Sequence, residues 1–230
     1  METNETEFDR VSENYEENLQ MGLSLSGESM DYFAEERVRH TARFLQDDLA
    51  GRILDFGCGT GTATPFLLRL PGAEQIVGFD PSEKSIAMAR KRWIKEPAVF
   101  VTTGLGIENN SINTAFCNGV FHHIPPSERP SGCQIVYSAL RPGGIFAYWE
   151  NNPWNPGTRW IMSRIPFDRD AITLTPPESR RMLRDAGFEV LRTDYLFFFP
   201  RSLSALRFLD PLLRPIPMGA QYLVLCRKPI

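Results

Sequence analysis

The stretch Ile53-Leu-Asp-Phe-Gly-Cys-Gly-Thr-Gly61 decides how the rest of this 230-residue chain is read. A short apolar run at 53–56 leads into a turn with glycine at three alternate positions, and a helix-like stretch at 62–70 follows. Glycines at that spacing let the chain turn tightly and let a ligand come close to the backbone. In an open α/β sheet such a turn lies at the carboxyl edge of the strands, where ligands bind. Dinucleotide sites favour G-x-G-x-x-G, which sets a pyrophosphate on a helix N-terminus. Here the third glycine comes one residue early, and Asp55 stands before the turn. A carboxylate repels a pyrophosphate and attracts a cationic aminoacyl group.

Outward from this turn, apolar runs at 75–79, 98–101, 114–117 and 145–149 alternate with helical patterns at 82–93 and 127–140. That alternation predicts parallel strands joined by right-handed crossovers, a doubly wound α/β sheet. Ser82 is the expected N-cap of its helix, and Pro65 falls in the first turn of the preceding one. Arg141-Pro-Gly-Gly144 reads as a turn into the fifth strand. A helix at 177–186, closed by Gly187, is followed by a closing strand pair at 189–199 and 221–227, with a proline-rich insertion at 200–219 between them. Residues 1–50 carry no strand signal and read as two helices, 7–19 and 30–49, around a flexible stretch at 22–27. The expected organisation is thus a helical lid over 1–50 and a ligand-binding domain over 51–230.

A net charge of −3 argues against a dedicated nucleic-acid binder. Cys58, Cys117, Cys133 and Cys226 form no C-x-x-C pair, so neither a metal site nor a disulfide framework is expected. No leader pattern and no long apolar run are present, which points to a cytoplasmic protein. Nothing in the pattern speaks to oligomeric state.

A second acid, Asp80, ends the run Gln75-Ile-Val-Gly-Phe-Asp80, where a carboxylate can accept both hydroxyls of a ribose. With Asp55 and the glycine turn it makes a constellation that resembles the class I S-adenosylmethionine-dependent methyltransferases. The likeness continues through Phe121-His-His-Ile-Pro-Pro126 and Leu140-Arg-Pro-Gly-Gly144 and covers residues 53–150. It implies a Rossmann-like seven-stranded sheet and S-adenosylmethionine as cofactor, with S-adenosylhomocysteine as product. By the same resemblance, Asp55 and the backbone of Gly57, Cys58 and Gly59 hold the methionine moiety. Asp80 holds the ribose, Pro81 flanks the adenine and Asn118 lies beside the cofactor. Relatives carry an acid after the third strand for the adenine amino group; the matching position here is Thr103, followed by Gly104, so that contact falls to a hydroxyl, a carbonyl or packing.

The expected acceptor is a small molecule, methylated at oxygen or nitrogen. An oxygen nucleophile needs a base, and His122 and His123 follow the fourth strand at the right edge. In an extended segment adjacent side chains point opposite ways, so only one is expected to face the substrate. Glu150 and Asn152, with Trp149 or Trp154, are candidates to hold a polar acceptor. Tyr15 or Phe33 is a candidate cover, and Phe197-Phe-Phe199 with the leucines of the insertion suggests a partly hydrophobic substrate, a membrane contact or plain packing. Arg159, Arg164, Arg169, Arg180 and Arg181 are candidates for an anionic group. Two rival readings are a nicotinamide-dependent oxidoreductase and a non-catalytic module that binds the same cofactor.

Overall fold

The computed structural model describes residues 27–45, 50–165, 168 and 171–230. The expected helix at 7–19, with Tyr15, and Arg169 lie outside them. Seven strands form one sheet: β1 (Gly51–Phe56), β2 (Ala73–Phe79), β3 (Ala98–Val101), β4 (Ile112–Asn118), β5 (Leu140–Asn151), β6 (Glu189–Leu196) and β7 (Gln221–Arg227). Their spatial order is β3-β2-β1-β4-β5-β7-β6. The first five run parallel, while β7 is antiparallel to both β5 and β6. The order reverses between β1 and β4, and such a reversal splays the two following loops apart and opens a crevice at the strands' carboxyl ends.

The helices are α1 (Met30–Ala42), α2 (Thr64–Leu67), α3 (Glu83–Arg92), α4 (Arg129–Ala139), α5 (Pro156–Met162), α6 (Pro176–Asp185) and α7 (Asp210–Leu213). Ser82 caps α3 by accepting from the Ser85 N–H at 3.1 Å. Thr175 and Glu178 close α6 with a reciprocal capping box. The insertion between β6 and β7 is helical, a 3₁₀ stretch at Arg201–Leu209 running into α7.

Because side chains alternate along a strand, β1 sends Leu54 and Phe56 to one core and Ile53 to the other. The first core packs Cys133 and Val136 of α4 and Leu183 of α6 against the sheet. The second packs Val38 of α1 and Leu67 of α2 against Phe116 and Trp149. Asp55 falls on the second face at the strand's end, which brings it under α1.

Two expectations are corrected. The 62–70 helix is a single α-helical turn flanked by looser turns, since Gly61 and Pro65 leave few residues to propagate it. Arg141–Gly144 is not a separate turn. Leu140 already pairs with Ile112 and Ile145 pairs with Thr114, so four residues bulge out opposite Asn113 alone within one strand. Gly144 sits where a β-carbon would lie 2.9 Å from the Arg141 carbonyl and 3.0 Å from that of Asn113.

Candidate active site at the strand reversal

A cavity of about 480 Å³ opens over the crevice between β1 and β4. Its floor is the β1 turn, with Asp55, Gly57, Cys58 and Gly59, and its far wall is the β4 loop, with Asn118, His122 and His123. Tyr32, Phe33 and Arg37 of α1 cover it, helped by Phe197–Pro200. Phe33 and Phe197 meet edge to face at 5.0 Å, and Phe197 holds a left-handed φ of 63° to reach that position. Of the two expected covers, Phe33 is therefore part of the roof.

The β1 turn is anchored from below. Gly57 and Cys58 both donate their N–H groups to the Phe79 carbonyl, at 2.7 and 3.0 Å. The Gly59 N–H donates to Asp80 Oδ2 at 3.0 Å, and the Ser82 N–H to Asp80 Oδ1 at 2.9 Å. A β-carbon on Gly57 would strike Val120 at 2.2 Å, because the β1 and β4 loops nearly touch there. One on Gly59, at φ 52°, would meet nothing within 4 Å. That open face looks into the cavity.

Asp55 is 4% exposed and its Oδ2 has no hydrogen-bond partner. Burial, helped by the negative charge of Asp80, pushes its carboxyl up to about 7. An unpartnered buried carboxyl oxygen costs free energy unless a ligand supplies a donor. Asn118 Oδ1 is likewise buried and unpartnered. Asp55 and Asp80 end neighbouring parallel strands and so stand on one rim. Asp80 is half-buried and does not line the cavity itself, and neither do Pro81, Thr103 and Gly104. Pro81 and Thr103 are exposed, and Gly104 packs against Ile135 of α4. These four flank the crevice on the β2–β3 side.

The other end of the cavity is polar. His122 and His123 lie in a turn, not an extended segment, so their rings come within 4.1 Å of each other and share one neighbour, Asp168. The expectation that only one would face the cavity is thus corrected: both line it. Glu150 Oε2 lies 2.6 Å from His122 Nδ1, while its Oε1 accepts from the Phe121 N–H at 2.8 Å. Glu150 does not line the cavity; it stands behind His122 and positions it. Burial opposes charge on the His122 ring, but Glu150 and Asp168 outweigh it and push this histidine up to about 10. Burial raises Asp168 less than the two histidines lower it, so it stays below the usual carboxylate range.

Sequence reasoning missed Asp168 and Arg129. Buried Arg129 donates to the carbonyls of Phe121, Ile124 and Ile172, and the Ile172 N–H donates to the His122 carbonyl at 3.0 Å. These bonds tie the β4 loop to the segment that carries Asp168. Asn152 is not a substrate ligand: it holds the Pro217 and Gly219 carbonyls and the Trp154 N–H. Trp149 is core and donates to Thr41 of α1. Trp154 is exposed outside the cavity; of the candidate anion set, Arg159 lies on α5, Arg164 just beyond it, and Arg180 and Arg181 on α6, and none of the four lines the cavity. In the insertion, Leu203, Phe208 and Leu212 are exposed, whereas Phe197–Phe199 line the cavity.

A family model for a methyltransferase domain matches residues 53–144. Trans-aconitate 2-methyltransferase of Rhodopseudomonas palustris is 27% identical over 145 residues, which cover 62% of this chain and 56% of that protein. An uncharacterized methyltransferase of Bacillus mycoides is 30% identical over 145 residues, 61% of this chain and 64% of that one. Against the curated relatives it matches, the chain spans 27% to 64% of their length. Among solved structures, an S-adenosylmethionine-dependent methyltransferase from Thermotoga maritima, described as a possible histamine N-methyltransferase, superimposes with a TM-score of 0.67 at 21% identity over 96% of this chain and 98% of that one. That likeness bears on the fold, and the sheet order found here is the one it shares. By residues 53–144 the chain resembles a methyltransferase domain, and its sheet order is that of the class I methyltransferase fold.

Proposed function

We propose that the chain transfers a methyl group from S-adenosylmethionine to a small, partly apolar molecule at oxygen or nitrogen. One observation carries the reading: a buried, unpartnered Asp55 oxygen beside an open Gly59 at the strand reversal. The donor set suits a ligand with a cationic aminoacyl end and a ribose. Asp55 and the Gly57–Gly59 backbone take the former, and Asp80, on the same rim, takes the latter. Pro81, Thr103 and Gly104 border the base, and Asn118 flanks the middle. When bound, the cofactor supplies an electrophilic methyl group on a sulfonium sulfur.

The rest falls to the protein. Phe33, Phe197 and Phe199 pack on the apolar part of the acceptor and exclude water, with residues 1–50 acting as a lid over the domain at 51–230. The His122–His123–Asp168 cluster handles the acceptor's proton. In the protein alone His123, with Asp168 behind it at 3.3 Å, is the accepting member, because His122 has a carboxylate facing each ring nitrogen. Among the described residues no helix is long and apolar enough to cross a membrane, and the chain carries no basic excess. Both support cytoplasmic work on a metabolite, not on nucleic acid.

Calorimetric titration with S-adenosylhomocysteine tests the reading. Saturable one-to-one binding is expected; folded protein that binds none of it contradicts the proposal. Binding of NADH in its place would favour the oxidoreductase. Cofactor binding without turnover on any acceptor would leave the non-catalytic module.

A further inference from the structure

At the acceptor end, three ligand atoms from two separate loops face one another. His122 Nε2 and His123 Nε2 lie 3.6 and 3.3 Å from the same oxygen, Asp168 Oδ1, and all three groups offer atoms within 4.8 Å of one another. Charge-assisted hydrogen bonds are shorter, about 2.7–2.9 Å between nitrogen and oxygen. The other side of the same ring shows what such a bond looks like here: His122 Nδ1 to Glu150 Oε2 is 2.6 Å. The wider gap has another natural length. Two ligands held about 2.0–2.1 Å from one ion at a tetrahedral angle are about 3.3 Å apart.

Resting on the reading of this end as the acceptor site, we infer that His122, His123 and Asp168 bind a divalent transition-metal ion, with Glu150 fixing the ring of His122. Two imidazoles and one carboxylate are a donor set for zinc or iron-type ions and leave coordination positions open. Glu150 supplies what bound imidazoles ordinarily need, a carboxylate on the other ring nitrogen that fixes tautomer and orientation. The site is built rather than fluid: His122 and Asp168 are buried, and the two loops are stitched by Arg129 and by the Ile172–His122 backbone bond. All three ligands line the cavity, so the open positions face the acceptor. An ion there would take an acceptor oxygen as a further ligand and make its proton easier to lose. This narrows the acceptor to a molecule with a hydroxyl or enol oxygen within reach of the ion.

Chelator-stripped protein titrated with Co²⁺ alone should develop visible d–d absorption that saturates at one equivalent, and calorimetry with Zn²⁺ should give the same stoichiometry. His123→Gln and Asp168→Asn are each expected to weaken that binding at least 100-fold, and Glu150→Gln about 10- to 100-fold. S-adenosylhomocysteine affinity, measured in parallel on the same samples, should stay within a few-fold in the two ligand variants, which also reports that they fold. Folded wild type without saturable metal binding would overturn the inference, as would binding indifferent to both ligand substitutions. Loss of S-adenosylhomocysteine binding alone would count against the cofactor reading and leave the metal site standing.

Discussion

Glu150 Oε2 sits 2.6 Å from His122 Nδ1, with the two side chains 1% and 2% exposed, so the end of β5 grips the loop that leaves β4. The other oxygen of Glu150 takes the Phe121 N–H, and one carboxylate thereby sets both the backbone and the ring of this loop. Glu150→Gln keeps the volume and one acceptor but removes the charge. It should cost about 2 kcal/mol of stability, the worth of a hydrogen bond to a charged group. S-adenosylhomocysteine affinity should change little, because Glu150 is behind the acceptor end. Urea unfolding beside calorimetry checks both parts; unchanged stability would mean the pair is not formed in solution.

Asp55 should make cofactor binding depend on pH. Its carboxyl is held up to about 7 in the fold against 3.8 for the free group. Between roughly pH 4 and 7 the folded chain keeps a proton that the unfolded chain has lost, so this group's contribution to stability declines as pH rises through that window. A cationic aminoacyl ligand favours the ionised form. Binding of S-adenosylhomocysteine should therefore tighten from pH 5.5 to 7, approaching tenfold per unit, and release close to one proton. Calorimetry in buffers of different ionisation enthalpy reads that proton. Asp55→Asn should abolish the pH dependence, weaken binding and raise the melting temperature at pH 8, where wild type buries an unpaired charge.

The glycines of the β1 turn should separate by role. Gly59→Ala projects a methyl group into open cavity at a left-handed φ of 52°, so the fold should lose about 1 kcal/mol while S-adenosylhomocysteine affinity drops tenfold or more. Gly57→Ala drives its methyl group into Val120 and should give little folded protein at all. Thermal melts followed by ligand titration distinguish the two. A well-folded Gly59→Ala that binds normally would move the ligand off this turn.

Why some of this was legible in the sequence and some was not has a physical basis. Strand runs, the Ser82 cap and the turn glycines are local, set by alternation, a side-chain oxygen and backbone conformation within a few residues. The pairing of Asp55 with Asp80 was legible too, because two successive parallel strands must end on one edge. His122 with Asp168 was not. Forty-six positions separate them, and their loops are brought together by Arg129 reaching to Ile172 and by the Ile172–His122 backbone bond. Asn152 misled for a related reason: an asparagine at a ligand edge and one satisfying buried carbonyls look alike until the carbonyls of Pro217 and Gly219 are placed.

Acid should loosen α1 from the sheet. His40 of α1 and Asp194 of β6, both buried, meet at 2.8 Å, Nε2 to Oδ2. Burial lowers the histidine's affinity for a proton more than Asp194 raises it, so His40 sits below its ordinary 6.5 and is neutral at pH 7. Asp194 is lowered as well, since His40 and Arg192 outweigh the burial that raises it. Both shifts have the same sign: the unfolded chain binds more protons, so stability is full above about 6.5 and is lost as pH falls, first through His40 and then through Asp194. Trp149 reports the event, because its ring packs 5.8 Å from His40 and its N–H donates to Thr41. Lowering the pH from 7.5 to 5 should red-shift its emission and lower stability in urea unfolding by at most about 2 kcal/mol. Asp194→Asn should show the shift already at pH 7. Emission that stays constant across this range would show that the clasp does not hold α1 down.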